Sequence, residues 1–272
     1  MTTEYAISDK EFKLFSTLVY KESGIRLSEN KKTLLISRLS KRLRALGLDS
    51  FRDYYEQYLK DENNGERIQM LDLISTNKTS FFREPAHFEF LKNNILPALA
   101  GQRQIKIWSS ACSSGEEPYT IAMTLYDHVQ NPEQWNFKIL ASDISTRVLA
   151  RAQSGIYDSD QISEVSQARA KLHFLKGCGL NEGRIKVKPH LLNMVSFKRI
   201  NLMDETYPIQ CDLDLIFCRN VMIYFDRETQ QMLMGKFHHY LKPGGHLFIG
   251  HSESLQWLNH SFNYVAPTIY KK

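Results

Sequence analysis

The sequence has few cysteines, and their spacing neither pairs them nor suits a metal. Its 272 residues include four cysteines, and none of them forms a C-x-x-C pair. They are Cys112, Cys178, Cys211 and Cys218. This spacing disfavours a disulfide framework and a structural zinc site, so we predict no metal and expect reduced, mostly buried thiols.

Long apolar runs and a leader-like beginning are also missing. No stretch approaches the ~18 uninterrupted apolar residues of a membrane helix, and Met1–Tyr5 lacks the basic-then-apolar pattern of a signal peptide. With 42% hydrophobic and 24% charged residues, the composition is that of a globular chain with one sizeable core or two unequal domains. The sequence therefore predicts a cytoplasmic protein without membrane insertion.

Acidic residues are scarce in residues 26–46. The whole chain carries 35 basic and 30 acidic residues, for a net charge of +5, while this segment alone has seven basic residues and one acidic residue. Leucines spaced at about 100° per residue predict a helix over about 28–46, with Lys31, Arg38 and Arg42 in a stripe beside its apolar face. The stripe indicates either a solvated helix face or a surface for an anionic partner, and nucleic acid, an acidic protein and a membrane surface all fit.

The chain divides into two regions by its hydrophobic pattern. The first 75 residues carry helical patterns only, beginning with a capping box formed by Ser8 and Glu11. After residue 88, short apolar strands alternate with helices. The predicted strands lie at 105–108, 137–141, 213–218, 247–250 and, as an antiparallel pair, within 264–270. We therefore predict an all-helical domain over 1–75 and an α/β domain with a doubly wound sheet over 76–272.

One segment, about 155–195, interrupts the strand–helix alternation. It contains Gly177 and Gly179 and an alternating run at 184–188. This pattern predicts a small β-subdomain, built on a hairpin and packed against the main sheet.

In doubly wound sheets, ligands bind outside the carboxyl ends of the strands. Polar residues follow several of the predicted strands at this position. A tight turn with Gly115 precedes Glu116 and Glu117, and Asp143 could accept bonds from two ribose hydroxyls. The turn lacks the G-x-G-x-x-G of dinucleotide sites, and its two carboxylates would repel a pyrophosphate. A nucleoside with a cationic centre and no phosphate fits better, and S-adenosylmethionine (SAM) is such a molecule.

Several strings at these positions resemble the signatures of the chemotaxis receptor methyltransferases (CheR). The strings are Asn77–Glu84, Gly115–Tyr119, Ala141–Ile144, Phe217–Phe225 and Gly250–Glu253. The resemblance covers nearly the whole chain and implies a methyltransferase (Rossmann-like) sheet with antiparallel C-terminal strands, a β-subdomain insertion and an N-terminal all-helical domain. It also implies SAM-dependent methylation of receptor glutamates, with S-adenosylhomocysteine as the product, by a cytoplasmic enzyme recruited to receptor arrays.

The resemblance also assigns roles to single residues. The implied cofactor contacts are Asn77, Thr79, Arg83, Glu117, Asp143, Asn201, Leu202, Arg219 and Asn220. Tyr224 would lie near the transferring methyl, and Arg83 would orient a carboxylate or the cofactor. The basic helix would face the receptor through Lys31, Arg38 and Arg42, and the hairpin at Gly177 and Gly179 would dock a C-terminal receptor peptide, as in some family members.

The chemistry expected of such a site needs no general base. A glutamate carboxylate is over ~99% ionised at neutral pH, so the protein's main task is to align it with the methyl group, which can supply ~7–11 kcal/mol. A cation–π contact from the Tyr224 ring would add ~0.5–2 kcal/mol. Arg83 as a surface ion-pair partner of Glu84 or Glu89, and Tyr224 as a core aromatic, are the alternatives for single residues.

Two other functions remain open at the level of the sequence. One is a nucleic-acid methyltransferase that uses the basic helix for phosphates, although that helix has no interleaved aromatics to stack bases. The other is a receptor-binding module that has lost methyl transfer. The sequence does not reveal which receptors are substrates, whether a peptide tether is required, the oligomeric state or the regulation.

Overall fold

The computed structural model describes residues 5–61 and 65–272. The sequence Glu62-Asn63-Asn64-Gly65 predicts a loop between two helices, and all of it except Gly65 lies outside the described residues. Within these ranges, no helix is both long enough and apolar enough to cross a bilayer.

The N-terminal residues form a small helical domain. Its helices are α1 (Asp9–Ser23), α2 (Lys32–Leu46, after a 3₁₀ turn at Glu29–Lys31), α3 (Phe51–Tyr54, continued by a π turn at Tyr55–Leu59) and α4 (Glu66–Ile74). The Ser8–Glu11 capping box opens α1, and Gly47 ends α2 in the left-handed conformation with φ 67°. Phe15, Leu39 and Tyr54 are among the fully buried side chains of its core.

The second region is built on a seven-stranded sheet with the order β6-β2-β1-β7-β8-β10-β9. The strands are β1 (Gln104–Ser109), β2 (Asn136–Asp143), β6 (Val195–Arg199), β7 (Leu213–Cys218), β8 (Leu241–Ile249), β9 (Asn263–Ala266) and β10 (Ile269–Lys271). The first five in this order run parallel, and β10 is antiparallel to both β8 and β9. This topology confirms the predicted methyltransferase-like sheet with antiparallel C-terminal strands.

Helices cover both faces of this sheet. They are α5 (Ala86–Phe90, continued by a π turn at Leu91–Ile95), α6 (Leu96–Leu99), α7 (Glu116–His128), α8 (Thr146–Ser154) and α11 (Arg227–Tyr240). Neighbouring residues on β1 enter different cores, since Ile107 packs in one apolar cluster and Trp108 in the other. Because both faces are buried, β7 is apolar along nearly its whole length.

The insertion forms a separate three-stranded antiparallel sheet with the order β3-β5-β4. Its elements are β3 (Ile156–Asp158), α9 (Gln167–His173), β4 (Phe174–Lys176), β5 (Arg184–Val187) and α10 (Pro189–Leu192). A hairpin was expected, and β3 adds the third strand. The predicted β-subdomain is confirmed.

Three details differ from the sequence-based expectations. Strand β6 was not predicted, because only its first residue is buried and its end is basic. Strand β8 begins at Leu241, and not after the Pro243–Gly245 turn-like run. The cysteines are all free, but the expectation of mostly buried thiols is wrong for Cys178 and Cys211, which are exposed in loops.

Candidate functional site

A cavity opens at the carboxyl ends of β1, β2 and β7, between the sheet and the helical domain. The space within it, counting the part open to solvent, is about 1250 Å³. Its wall contains every residue predicted to contact the cofactor, together with Tyr224 and Lys31. The other predicted partner residues, Arg38, Arg42, Gly177 and Gly179, do not line it.

The two adjacent glutamates after β1, Glu116 and Glu117, have different surroundings. Gly115, with φ 99°, starts α7, and a Cβ there would come within 2.7 Å of the Tyr157 hydroxyl and 2.9 Å of the Ala152 Cβ. Glu116 is buried outside the cavity wall, where it accepts a bond from Ser114 Oγ and burial raises the pKa of its carboxyl. Glu117 faces the cavity. Of the two carboxylates, the second one therefore lines the cavity.

Asp143 lies at the end of β2 with its carboxylate inside the cavity wall. Its two oxygens accept bonds from the backbone N–H groups of Ser113 (2.9 Å) and Ser145 (3.0 Å). Burial raises the pKa of this carboxyl, and the two N–H donors oppose that rise. Each oxygen can accept a further bond, which is the arrangement a ribose diol requires.

Arg219 follows β7 and is the buried cation of the site. Its Nη1 donates to Glu117 Oε2 at 2.9 Å and its Nη2 to Glu84 Oε2 at 3.0 Å, while Nη2 also donates to the Arg83 carbonyl. The side chain is 2% exposed, and its Nε is one of the buried polar atoms without a partner among the described residues. The guanidinium therefore joins two segments of the chain, at Arg83–Glu84 and at Glu117.

Glu84 binds two residues of the cavity wall, Arg219 and Asn220, and the sequence did not predict these contacts. It accepts bonds from Arg219 and from Asn220 Nδ2 (3.0 Å), and from the backbone N–H of His251 (3.2 Å). Although burial opposes ionisation, these donors lower the pKa of its carboxyl to about 2. The quoted Phe81–Glu84 string was the available signal, but it suggested only an ion pair with Arg83, whose Nη1 instead donates to the Lys78 carbonyl.

A group of possible metal ligands borders this network. Glu84, His87 and His251 bring one ligand atom each to within 4.8 Å of one another. His87 Nδ1 is buried and has no hydrogen-bond partner within residues 5–61 and 65–272. Burial and the nearby Arg219 charge lower the pKa of His87 to about 3. The Glu84 carboxylate is already matched by the guanidinium, whose positive charge opposes a cation at this position.

The helical domain supplies part of the cavity wall, which the sequence did not predict. The contributing residues are Ser23, Ile25, Arg26, Leu27, Lys31, Leu34, Ile74 and Ser75. The Arg26 N–H donates to the Tyr224 carbonyl at 3.0 Å, and Asn201 Nδ2 donates to the Glu22 carbonyl at 2.5 Å. No local pattern could have indicated these contacts, because they join residues about 180–200 positions apart.

The basic stripe on α2 is largely used inside the protein. Arg42 forms a bidentate pair with Glu66 (2.7 and 2.6 Å), and Arg38 donates to backbone carbonyls at the end of α4. Lys32 pairs with Asp9 at 2.7 Å. The acids that the segment itself lacks are supplied by α1 and α4. Of the three stripe residues, Lys31 is the one that is exposed and lines the cavity.

The predicted peptide-docking glycines lie in the three-stranded sheet, apart from the cavity. A Cβ at Gly177 would approach the Asn181 carbonyl oxygen to 2.0 Å, and Gly179 has φ 58°. The glycines therefore shape a tight turn between β4 and β5. Leu172, Leu175 and Leu180 are exposed around it.

Comparison with known proteins gives consistent matches over the whole chain. Residues 77–271 match the model of the CheR methyltransferase SAM-binding domain, and residues 10–75 match that of the CheR methyltransferase all-alpha domain. A chemotaxis protein methyltransferase of Borreliella burgdorferi is 45% identical, covering 98% of this chain and 95% of the relative. One from Escherichia coli is 40% identical, covering 99% of this chain and 93% of the relative. Chemotaxis protein methyltransferase 2 of Pseudomonas aeruginosa is 39% identical, covering 98% and 94%.

Proposed function

The chain belongs to the CheR methyltransferase family, and we propose that it transfers the methyl group of SAM to glutamate side chains in the cytoplasmic domains of chemoreceptors. The products are glutamate methyl esters and S-adenosylhomocysteine. The observation that carries the proposal is the cavity wall, which combines the Asp143 carboxylate with the ion pair of Glu117 and Arg219. Behind the wall, Arg219 also pairs with Glu84. As part of the proposal, residues 1–75 form the receptor-facing domain and residues 76–272 the catalytic one.

The cavity suits a cofactor with a ribose, an amino-acid part and a positive sulfur. We propose that Asp143 accepts both ribose hydroxyls and that Asn77, Thr79, Asn201 and Leu202 contact the remaining nucleoside. Glu84 and Glu117 with Arg219 carry one net negative charge, and Asp143 adds another. These carboxylates would stabilise a cationic ligand in the buried part of the cavity. Arg26, Lys31, Lys78 and Arg83 make the rest of the wall basic.

For methyl transfer, the main requirement on the protein is to align the attacking carboxylate with the methyl group. The bound cofactor supplies an electrophilic methyl group on a positively charged sulfur. Arg83 orients a carboxylate, either that of the substrate or that of the cofactor, and the Tyr224 ring stabilises positive charge near the reacting carbon by a cation–π contact of ~0.5–2 kcal/mol. Because the attacking glutamate is already ionised, neither residue acts as a base. Exclusion of water by the helical domain assists the step, since charge is cancelled as it proceeds.

The exposed part of the cavity wall is basic, which suits an anionic substrate. Arg26, Lys31 and Lys78 are exposed and line the cavity, and the described residues provide no ion-pair partner for them. Their field would attract a receptor helix that presents carboxylates and increase its rate of encounter. We propose that Lys31 and its two neighbours meet the substrate.

The β-subdomain supports a second, finer proposal. Strand β4 is an edge strand of its sheet, and exposed leucines surround the turn at Gly177 and Gly179. An edge of this kind can bind an extended peptide by adding a strand. We propose that a C-terminal receptor peptide docks there in those receptors that carry one, and that this contact recruits the enzyme to receptor arrays.

A methyl-labelling experiment tests the function. The protein is incubated with methyl-labelled SAM and either receptor-containing membranes or nucleic acid, with the Asp143→Ala variant as the cofactor-binding control. We expect base-labile label on receptor glutamates with the wild-type protein and none with the variant. Label on nucleic acid alone would establish the rival methyltransferase. Receptor binding without any transfer would establish a silent binding module.

A further inference from the structure

The Gly250–Glu253 string ends in a buried carboxylate that has no part in the mechanism above. Glu253 Oε1 accepts a bond from the N–H of Met222 (2.7 Å), and Oε2 accepts bonds from the N–H groups of Asn220 (3.0 Å) and Gly250 (2.5 Å). The residue is 7% exposed. Burial raises the pKa of its carboxyl, and the backbone N–H donors oppose that rise. Both oxygens of the carboxylate are therefore satisfied by the backbone of neighbouring segments.

Two of the three donors belong to the segment that follows β7 and forms part of the cavity wall. Residues 219–221 and 224–225 line the cavity. Asn220 has φ 58°, a left-handed conformation that is uncommon for residues other than glycine and persists only where the surroundings hold it. The bonds from Asn220 and Met222 to Glu253 hold the backbone on both sides of this bend.

The loop that carries Glu253 also packs closely against Asn220. A Cβ at Gly250 would lie 2.8 Å from the Asn220 backbone nitrogen, so a larger residue does not fit there. The Asn220 side chain donates from Nδ2 to Glu84 Oε1 at 3.0 Å, and the His251 N–H donates to the same oxygen at 3.2 Å. Asn220 is therefore held through its backbone by Glu253 and through its side chain by Glu84.

We propose that Glu253 is a positioning residue for the segment 219–224, which presents Asn220 to the cofactor and Tyr224 to the transferring methyl group. The inference rests on the proposed function, from which these two roles are taken. Glu253 acts through backbone N–H groups from behind the cavity wall.

The chemistry of the side chain explains why a carboxylate is needed at position 253. A glutamine there has nearly the same shape, but it offers one oxygen and one N–H₂ group. Either the Met222 N–H or the N–H groups of Asn220 and Gly250 would then face another donor. Such an unsatisfied buried contact is relieved when the segment shifts or loosens.

The test compares Glu253→Gln and Glu253→Asp with the wild-type protein in the full chain. Calorimetry gives the Kd for SAM, and methylation at saturating SAM gives kcat and KM for the receptor. We expect Glu253→Gln to lower kcat about ten- to a hundredfold, because a displacement of about 1 Å in a reacting group can cost about a hundredfold in rate. The Kd for SAM should rise about three- to tenfold. Glu253→Asp keeps both oxygens and should give intermediate values, and receptor KM should be nearly unchanged in both variants.

Leu59→Ala is the control that separates positioning from stability. Leu59 is fully buried in the core of the helical domain, so its truncation lowers the melting temperature by creating a cavity there. All assays are run at a temperature at which circular dichroism shows each variant to be folded. Under these conditions Leu59→Ala should keep the wild-type kcat and the wild-type Kd for SAM.

Two results would overturn the assignment. One is a lowered melting temperature of Glu253→Gln with unchanged kcat and unchanged Kd for SAM, which would make the role of Glu253 structural only. The other is a raised receptor KM with unchanged kcat and Kd, which would make Glu253 part of the receptor-binding surface. If Glu253→Gln does not fold, kcat and Kd of Glu253→Asp decide. Failure of the wild-type protein to methylate receptors would instead contradict the proposed function and would leave the comparison of Kd values valid.

Discussion

At the scale of single residues, the local charge around Arg219 depends on how its guanidinium is paired with carboxylates. A buried guanidinium is tolerated only when it is paired, and here Glu84 and Glu117 both pair with it. The two carboxylates exceed what neutrality requires by one charge. This excess negative charge suits a ligand with a positive sulfur, because binding of the ligand would neutralise it.

Glu84→Gln should reduce stability in a pH-dependent way. The pKa of Glu84 is about 2 in the folded protein, against an ordinary 4.5, and this difference corresponds to about 3 kcal/mol of stabilisation. Because the folded pKa is the lower one, the stabilisation is present above about pH 5 and is lost as the pH falls toward 2. Denaturant unfolding of both proteins should therefore show a large difference at pH 7 that shrinks on acidification.

The control for this experiment is Glu56→Gln, which removes an exposed ion pair with Lys60. It should change the free energy of unfolding by less than about 1 kcal/mol at any pH. A wild-type to Glu84→Gln difference that stays constant from pH 7 to pH 3 would contradict the assigned ionisation of Glu84.

At the scale of elements, burial decided which strands the sequence could predict. Strand β7 is buried at every position, and its apolar run was predicted with the correct bounds. Strand β6 lies at the edge of the sheet and is short. Val195 and Phe197 alternate with polar residues there, but Ser196, Lys198 and Arg199 are exposed, so the apolar signal is weak. The start of β8 could not be predicted, because Pro243 and the two glycines after it favour a turn. In the structure they lie within the strand, where its register with β7 is irregular.

The site residues also fall into those that the sequence could predict and those that it could not. Strand-end residues such as Asp143 and Arg219 could be predicted, because the carboxyl ends of parallel strands meet at one edge of a sheet. The partners of Arg38 and Arg42 could not, because they come from α4, which is separated from α2 by a further helix. A charged stripe in a sequence shows that acids are missing nearby in the chain, and does not show whether the fold brings them.

Gly115→Ala tests whether the turn between β1 and α7 requires glycine. The residue has φ 99°, and an added Cβ would contact the Tyr157 hydroxyl at 2.7 Å and the Ala152 Cβ at 2.9 Å. Backbone strain and overpacking should together lower the free energy of unfolding by about 2–4 kcal/mol. Denaturant unfolding measures this loss, and SAM affinity should fall with it because the adjacent Ser113 and Glu117 line the cavity.

Gly235→Ala is the matched control within a helix. The site lies inside α11, and an added Cβ would meet no atom within 4 Å. Removing the flexibility of glycine there should raise stability by about 0.5–1 kcal/mol. Similar effects of the two substitutions would show that the conformation at Gly115 does not matter.

At the scale of the whole molecule, the two domains share one cavity. The helical domain supplies part of the wall, and Tyr20 and Glu22 of α1 bond to Asp226 and Asn201 of the catalytic domain. Exposed cations from both domains surround the opening. Methyl donor and receptor would therefore meet at the junction, so that the domain proposed to recognise the receptor also closes the site over the reaction.

This arrangement predicts that SAM protects the helical domain from hydrogen exchange. At a SAM concentration of about 100 Kd, binding should stabilise the protein by about 2.7 kcal/mol. Amide exchange followed by mass spectrometry should slow in peptides covering 23–34 and 74–80, which line the cavity, as well as in those covering 110–117 and 143. Peptides covering 51–59, on the far part of the helical core, should change little. Protection confined to the catalytic domain would show that the helical domain does not close over the cofactor, and would remove the physical link between receptor recognition and methyl transfer.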